Sequence, residues 1–350
     1  MATFLMNAWY VAGWASEIEP GAILARRLLD ERIVLFRKGD GSVVALHGLC
    51  PHRMVSLGMG TLVDGTIQCG YHGLAFDANG VCVHNPQGAP PKTMQVRPYP
   101  VIERHSMVWI WMGDASKADP ARIPDFSFQD PDVAYVGKGY LNVRASYELE
   151  IENILDLSHI EFLHATTLGS GQVSQGHYSC RQEGETIWSQ RDIIGEVMTD
   201  ELATNMGLVP GQKADRWLNV RWNAPANLAL FTGAIAHGRP RAEGIENPTA
   251  HLFTPETRNR THYWFSVPIP RADGPEGEAK AQAKADWLKG PFSDEDVIML
   301  EEQQENIGDR DLRTVKLGWL PGDAAGARAR NILYSKIDAE AAEASAAVKV

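Results

Sequence analysis

The sequence predicts an α+β chain of two domains: an all-β domain followed by an antiparallel sheet covered by long helices. Short apolar runs separated by turn residues fill the first third of the chain, which is the pattern of closely spaced strands. Residues 112–127 are polar and rich in proline and aspartate, as expected of a linker. Longer strand patterns and helical tracts follow. We therefore divide the chain into residues 1–115 and 116–350.

The individual elements follow from these patterns in order. In the first domain we predict strands at residues 22–29, 32–37, 43–47, 74–76, 96–99 and 108–111. In the second domain the predicted strands are residues 140–150, 217–222, 228–235, 251–254 and 261–267. Helices are predicted at residues 152–163, 276–287, 294–304 and 323–350.

Composition excludes several classes of function. The net charge is −11 over 350 residues, and no Lys/Arg-rich run interrupts it, so nucleic acid is not an expected partner. No stretch reaches the roughly 18 apolar residues that a membrane span needs. The first ten residues lack the basic and apolar regions of a signal peptide, so we expect a cytoplasmic protein. Cys82 and Cys180 show no CxxC spacing, and four cysteines are too few for a disulfide scaffold.

Two short clusters each combine one cysteine with one histidine. Cys50 and His52 form the first cluster, and Cys69 and His72 form the second. Two Cys and two His can hold either Zn²⁺ or a Rieske [2Fe–2S] cluster, in which a His pair replaces the Cys pair on one iron. Structural zinc sites usually pair like residues in each half of the motif. The mixed pairs found here favour the Rieske cluster.

A second dense polar segment spans residues 153–164. Asn153, Asp156 and His159 are spaced three apart, and His164 lies five residues beyond His159, so we expect a bend or helix end near residues 166–167. Two histidines and a later carboxylate would form the facial triad of non-haem Fe(II) oxygenases. The alternative is that both histidines are ordinary core or surface residues. Electrons delivered by a Rieske cluster need an acceptor, which favours the metal site.

The third ligand must come from elsewhere in the chain. Residues 294–296 offer three acids before an apolar run. Acids in a first helical turn often serve as caps, and Asp294 fits that role. Asp296 precedes the apolar run directly and is better placed to point inward, so we predict Asp296 as the ligand over Asp294 and Glu295.

These motifs resemble the oxygenase components of Rieske non-haem iron oxygenases, in particular the vanillate and dicamba O-demethylase group. The resemblance also covers the segment of residues 7–12. It implies a Rieske domain followed by a helix-grip catalytic domain. It implies that Cys50, His52, Cys69 and His72 hold the cluster, and that His159, His164 and Asp296 hold a mononuclear Fe(II). Asn153 and Asp156 would be catalytic residues of the second site.

The resemblance also implies partners. The chain has no G-x-G-x-x-G after a strand, so NAD(P)H would act through a separate flavin and iron–sulfur reductase or a ferredoxin. Such enzymes are typically homotrimers, in which Asp156 would bridge a mononuclear-iron histidine and His72 of a neighbouring subunit. A carboxylate is a suitable acceptor for the free N–H of a ligating imidazole.

The expected reaction uses O₂ to O-demethylate or hydroxylate an aromatic substrate, with a methoxybenzoate-type acid as the first choice. In the dicamba-type group a His and a Trp contact the aromatic acid, and His251 and Trp287 occupy similar places here. The polar Asn of that group is replaced by an apolar residue, which we assign to Leu230. One alternative is an oxygenase of the same architecture that acts on another substrate, by N-demethylation or by ring or methyl hydroxylation. The other alternative is a non-catalytic protein, either a Rieske electron carrier or a zinc protein.

Overall fold

The computed structural model describes residues 3–347 of the chain. Residues 1–2 and 348–350 lie outside this range, so the last three residues of the predicted C-terminal helix are among them. The chain forms two compact units, residues 1–123 with 254–258, and residues 124–253 with 259–350. The first unit thus continues past residue 115, and our division at that point stays a prediction.

The first unit is built from three small sheets, as the sequence predicts for an all-β domain. One sheet has the order β1-β11-β10, the second β2-β3-β4-β9 and the third β5-β6-β7-β8. The strands are β1 Trp9–Trp14, β2 Leu24–Leu28, β3 Glu31–Arg37, β4 Val43–His47, β5 Thr61–Val63, β6 Thr66–Gln68, β7 Ala75–Phe76, β8 Cys82–His84, β9 Pro98–Tyr99, β10 Val101–Arg104 and β11 Met107–Trp111.

The core of the second and third sheets encloses both cluster cysteines. Phe36 and Leu46 of one sheet and Phe76 of the other are fully buried, and Cys50 and Cys69 belong to the same apolar cluster. Cys82 is buried there as well. The loops that carry the cysteines therefore start from a rigid base.

The second unit contains one seven-stranded antiparallel sheet with long helices, which confirms the predicted α+β class. Its strand order is β12-β18-β17-β16-β15-β14-β13. The strands are β12 Ala134–Val143, β13 His177–Glu183, β14 Thr186–Glu196, β15 Ala214–Asn223, β16 Asn227–Ala236, β17 Ile245–Thr257 and β18 Arg260–Pro270. The helices are α1 Tyr147–Leu155, α2 Asp200–Asn205, α3 Gly277–Pro291, α4 Val297–Ile307 and α5 Ala324–Ala347.

Close packing of α3 on the sheet depends on glycine. A Cβ atom at Gly137 of β12 would lie 2.0 Å from the carbonyl oxygen of Ala281 in α3. The helix begins beside Ile269 of β18, and Phe292, directly after it, packs against Phe265 of the same strand with ring centroids 5.0 Å apart. α3 therefore runs antiparallel to β18 along its length.

The helix around residue 152 begins earlier and ends earlier than predicted. The side chain of Ser146 accepts a hydrogen bond from the N–H of Glu148 and starts α1 inside the segment predicted as a strand. The helix ends at Asp156, whose carboxylate accepts from the N–H of Ser158 and starts a separate 3₁₀ turn, Leu157–Glu161. His159 and Asn153 are consequently on different elements.

The acids at residues 294–296 lie in the middle of a helix, where we had expected a helix start. α3 and α4 are continuous through a π-helical turn, Phe292–Asp296. Pro291 cannot donate a backbone hydrogen bond, and the wider turn follows directly after it. Asp294 is therefore not a helix cap.

The C-terminal helix packs against α1 through charged side chains. Arg330 lies 2.5 Å from Oε1 of Glu152, and the hydroxyl of Tyr334 donates to Oε2 of Glu148 at 2.9 Å. Within residues 3–347, no helix is both long enough and apolar enough to span a bilayer.

Candidate active site

The two Cys–His loops of the first unit share one backbone design. The N–H of Cys50 donates to the carbonyl of Val55 at 2.8 Å, and the N–H of Met54 donates back to Cys50 at 2.8 Å. The second loop repeats this pattern, because Cys69 donates to Leu74 at 2.8 Å and Gly73 donates to Cys69 at 3.0 Å. The fourth residue after each cysteine has a positive φ, 57° at Met54 and 72° at Gly73.

These loops bring the four predicted cluster ligands together in pairs. The rings of His52 and His72 lie 4.6 Å apart between centroids. Burial, together with a smaller effect of the adjacent thiol of Cys69, raises the pKa of the Cys50 thiol to about 11. Nδ1 of His52 is buried, and no residue in the described range 3–347 hydrogen-bonds to it. Two thiols on one side and two imidazoles on the other match the ligand set of a Rieske cluster.

A second potential metal-binding group lies in the second unit. His159, His164 and Asp296 each offer one ligand atom, and these atoms all lie within 4.8 Å of one another. Nε2 of His164 lies 3.1 Å from Oδ2 of Asp296, and Nε2 of His159 lies 3.4 Å from Oδ1. Asp294, the alternative carboxylate, bonds instead to its neighbour Ser293.

Each side chain of this group is held in its orientation by a second contact. Nδ1 of His159 bonds to the carbonyl oxygen of Asp156 at 2.7 Å, and Nδ1 of His164 bonds to Oε2 of Glu295 at 2.7 Å. Both Nε2 atoms are thereby left to face Asp296. The amide of Asn153 donates to Oδ1 of Asp296 at 3.0 Å. Such contacts fix ring orientation and raise ligand basicity.

The contact between Asp156 and His159 within one chain is made by the main chain of Asp156. The main-chain oxygen of Asp156 accepts the imidazole N–H, while its carboxylate bonds to Ser158 and lies 3.3 Å from Nη2 of Arg191. The reason is local, because Asp156 ends α1 and caps the next turn. The carboxylate remains partly exposed, at 20%.

The pKa values of the two histidines are shifted in opposite directions. Burial lowers the pKa of His159, and the opposing attraction of Asp296 does not reverse this. Burial also acts to lower the pKa of His164, but hydrogen bonds and attraction from Asp296 and Glu295 outweigh it and raise the value. Neutral imidazole is the form that binds a metal ion.

A buried carboxyl group, that of Glu150, lies near Asp296 of the metal-binding group. Glu150 on α1 is 2% exposed, and its Oε1 has no hydrogen-bond partner among the described residues. Burial raises the pKa of Glu150 well above its ordinary value, and the nearby charge of Asp296 adds to the rise. Burial without a hydrogen-bond partner for Oε1 thus disfavours the charged form of Glu150.

An apolar pocket of about 150 Å³ opens beside the metal-binding group. His159 and Asp296 form part of its wall. The remaining wall comes from the sheet face of β15 to β18, from α1 and the segment that follows it, from α2, and from α3 with the π-helical turn after it. Its principal apolar members are Ile154, Leu157, Ile160, Leu168, Leu202, Met206, Leu218, Leu230, Val267, Trp287, Leu288 and Phe292.

All three predicted substrate residues, His251, Trp287 and Leu230, line this pocket. His251 is held firmly, because Nδ1 lies 2.7 Å from the hydroxyl of Tyr263 and Nε2 lies 3.0 Å from Oγ1 of Thr249. Burial lowers the pKa of His251 to about 4. The imidazole is therefore neutral at physiological pH, and it can exchange its Thr249 bond for one to a ligand.

Sequence reasoning missed several residues of the site. Glu295 was weighed only as a metal ligand, yet it orients His164. Tyr263 and Thr249 carry no motif, and they are recognisable only from their strand positions beside His251. Phe292, whose ring lies 5.8 Å from that of His251, is placed by the π-helical turn.

Comparison with known proteins agrees with both halves of this arrangement. Residues 8–100 match the Rieske [2Fe–2S] domain family, and residues 143–339 match the family described as vanillate O-demethylase oxygenase C-terminal domain. The oxygenase component of dicamba O-demethylase from Stenotrophomonas maltophilia is 36% identical over 80% of this chain and 85% of the relative. An iron–sulfur subunit of the toluene-4-sulfonate monooxygenase system of Comamonas testosteroni is 36% identical over 75% of this chain and 78% of the relative.

A solved structure extends this similarity to the fold. The crystal structure of dicamba monooxygenase bound to 3,6-dichlorosalicylic acid superposes with a TM-score of 0.90 at 32% identity, covering 97% of this chain and all of that one. Fold and site together define an O₂-using oxidoreductase with a Rieske domain and a non-haem iron site at His159, His164 and Asp296. The chain belongs to the Rieske oxygenase family, as an oxygenase component of the vanillate and dicamba demethylase group.

Proposed function

We propose that this oxygenase component O-demethylates an aromatic acid of the methoxybenzoate type, using O₂ and electrons from a separate reductase. The observation that carries the proposal is the apolar pocket. It is bordered on one side by His159 and Asp296, and it presents the neutral imidazole of His251 and the ring of Trp287 to a ligand. An aromatic ring fits such walls, and polar groups at a few points fix its orientation.

The residues of each site indicate which cofactor that site would hold. Cys50, Cys69, His52 and His72 would hold the [2Fe–2S] cluster, and His159, His164 and Asp296 would hold Fe(II), with positions left open. When bound, the mononuclear iron supplies the activation of O₂ for insertion into a substrate C–H bond. A methyl ether hydroxylated at its methyl carbon then breaks down to a phenol and formaldehyde.

The chain's own residues supply positioning and a dry enclosure. Asn153 and Glu295 hold the ligand side chains in place, so that the metal geometry is set before substrate arrives. The apolar walls keep water away from the reacting methyl group. His251, fixed by Tyr263, can donate or accept a single hydrogen bond at the substrate's polar group.

Electron supply is the second part of the proposal. A flavin and iron–sulfur reductase or a ferredoxin would pass electrons to the cluster, and NAD(P)H would act only through that partner. We further propose a homotrimer in which Asp156 receives a hydrogen bond from His72 of a neighbouring subunit. The partial exposure of the Asp156 carboxylate and the half-buried position of His72 support this contact.

A substrate screen with a surrogate reductase tests the proposal. Methoxybenzoates are supplied with NADH, and both O₂ uptake and formaldehyde are measured. We expect stoichiometric formaldehyde from at least one acid. His164→Ala should abolish it, while His177→Ala, an exposed histidine of β13, should retain it. O₂ uptake without formaldehyde would instead favour another oxidation by the same architecture, such as methyl hydroxylation.

A further inference from the structure

Among the described residues, the pocket is lined by one Lys or Arg side chain without an acidic partner. Arg216 and Lys284 both line it. Arg216 is buried against Glu196, with Nε and Oε1 2.7 Å apart, so its charge is neutralised. In contrast, no carboxylate among residues 3–347 pairs with Lys284. Lys280, one turn earlier on α3, does pair, with Glu276 at 3.2 Å.

Lys284 lies at the end of the pocket away from the metal-binding group. Lys284, Trp287 and Leu288 have i, i+3, i+4 spacing and all line the pocket, so they share one face of α3. Asp296 follows Lys284 by twelve residues, which corresponds to about 18 Å along a helix. A substrate that contacts Lys284 and also reaches the metal-binding group must therefore extend along the pocket.

The sheet face offers polar groups at the same end. Asn247, Thr249 and His251 alternate along β17 and all line the pocket, and four residues of strand separate Asn247 from His251 by about 13 Å. β17 starts where its neighbour β18 ends, and α3 begins beside Ile269 near that end. The amide of Asn247 has only a 3.9 Å contact to the sulfur of Met206, a weak acceptor.

We infer that Lys284 anchors the acid group of the substrate, with Asn247 as a neighbouring donor. An ammonium facing an apolar, partly enclosed space gains most from an anion, because charge-assisted hydrogen bonds are the strong ones. The inference rests on the proposed function and narrows its substrate class. The preferred substrates are aryl carboxylates or sulfonates whose acid group lies para to the oxidised substituent.

Equilibrium binding to the iron-loaded holoenzyme under anaerobic conditions tests the inference without turnover. The probes are 4-methoxybenzoate, 4-methoxybenzenesulfonate, 2-methoxybenzoate and the neutral methyl ester of 4-methoxybenzoate, titrated by calorimetry. Lys284→Met is compared with Lys280→Met, which removes a charge from the same helix outside the pocket. We expect Lys284→Met to weaken binding of both para acids about tenfold. The ester, the ortho acid and the Lys280→Met variant should stay within about twofold.

The outcomes separate the inference from the proposed function. An equal loss for acid and ester, no loss for either para acid, or no binding of any aryl acid to the wild type would overturn the role of Lys284. Binding that depends on Lys284 but is followed by no formaldehyde in the turnover assay supports the anion anchor and rejects O-demethylation.

Discussion

Asn153 donates from its amide to Oδ1 of Asp296 across 3.0 Å and so connects α1 to the π-helical turn that carries the third metal ligand. The bond leaves Oδ2 facing His164. Because a carboxylate ligand without such support can rotate, we expect the strength of metal binding to depend on this amide.

Asn153→Ala should therefore lower affinity for the mononuclear iron about tenfold or more, the usual cost of losing a supporting contact to a ligand. Iron retained after treatment with a chelator is the measurement, and the visible spectrum of the Rieske cluster should not change. Asn306→Ala, which removes an exposed amide of α4, serves as the control. Unchanged iron retention in Asn153→Ala would show that Asp296 is held by other means.

The assignment of the cluster ligands to the Cys–His loops leads to a separate prediction. Cys69→Ala should remove the visible Rieske spectrum and reduce the iron content from about three to about one per chain, because one thiolate cannot hold the cluster. Cys82→Ala removes a cysteine from the same apolar core and should keep all of the iron. Circular dichroism reports whether each variant is folded. A Rieske spectrum in folded Cys69→Ala would contradict the ligand assignment.

Asp156→Asn tests electron transfer into the second site. The amide can still accept the hydrogen bond from the N–H of Ser158, so the turn should form, but it lacks the charge of the carboxylate that we propose as the bridge. We expect O₂ uptake to fall at least about 100-fold while the Rieske spectrum stays intact. Asp114→Asn, at a matching cap of a 3₁₀ turn in the first unit, should have normal turnover. Normal turnover in Asp156→Asn would remove the bridging role.

The contact between α1 and α5 predicts a pH dependence of stability. Burial raises the pKa of Glu148 from 4.5 to about 7, although the hydrogen bond from Tyr334 opposes the rise. The folded chain thus holds a proton that the unfolded chain releases, so Glu148 reduces stability as pH rises from about 4.5 to about 7. The full effect above pH 7 is on the order of 3 kcal/mol.

Urea denaturation between pH 5 and pH 8 measures this effect. Glu148→Gln should flatten the profile and raise the midpoint at pH 8, because the amide has no charge to bury. Glu305→Gln, an exposed position of α4, should leave the profile as in the wild type. A parallel shift of the Glu148→Gln curve at all pH values would point to packing and not to the charge.

The residues of the metal-binding motifs were predictable because they lie close together in the chain. The spacing of Cys50, His52, Cys69 and His72 limits which cofactor can satisfy both loops. Asp296 was predictable from the apolar run that follows it, although the helix start expected at residue 294 was wrong. The helix continues through residues 292–296, and the π-helical turn depends on tertiary packing that no local pattern reports.

The start of α1 carries a helix signal in the sequence. Ser146 is a good N-cap, and Tyr147, Ile151 and Leu155 recur at helical spacing after it. The alternation at the end of β12 masked this pattern. Partners such as Tyr263 and Lys284 were out of reach, because their roles arise from strand register and from the approach of α3 to the sheet.

The π-helical turn also divides one long helix into a part that lines the pocket and a part that begins at the metal-binding carboxylate. Lys284, Trp287 and Leu288 before Pro291 line the pocket, and Asp296 after it is held by the amide of Asn153. Substitutions in α3 can thus alter which compound is accepted while the iron carboxylate stays in place. A gene of this kind can therefore vary the codons of α3 while the codons of the metal ligands stay fixed.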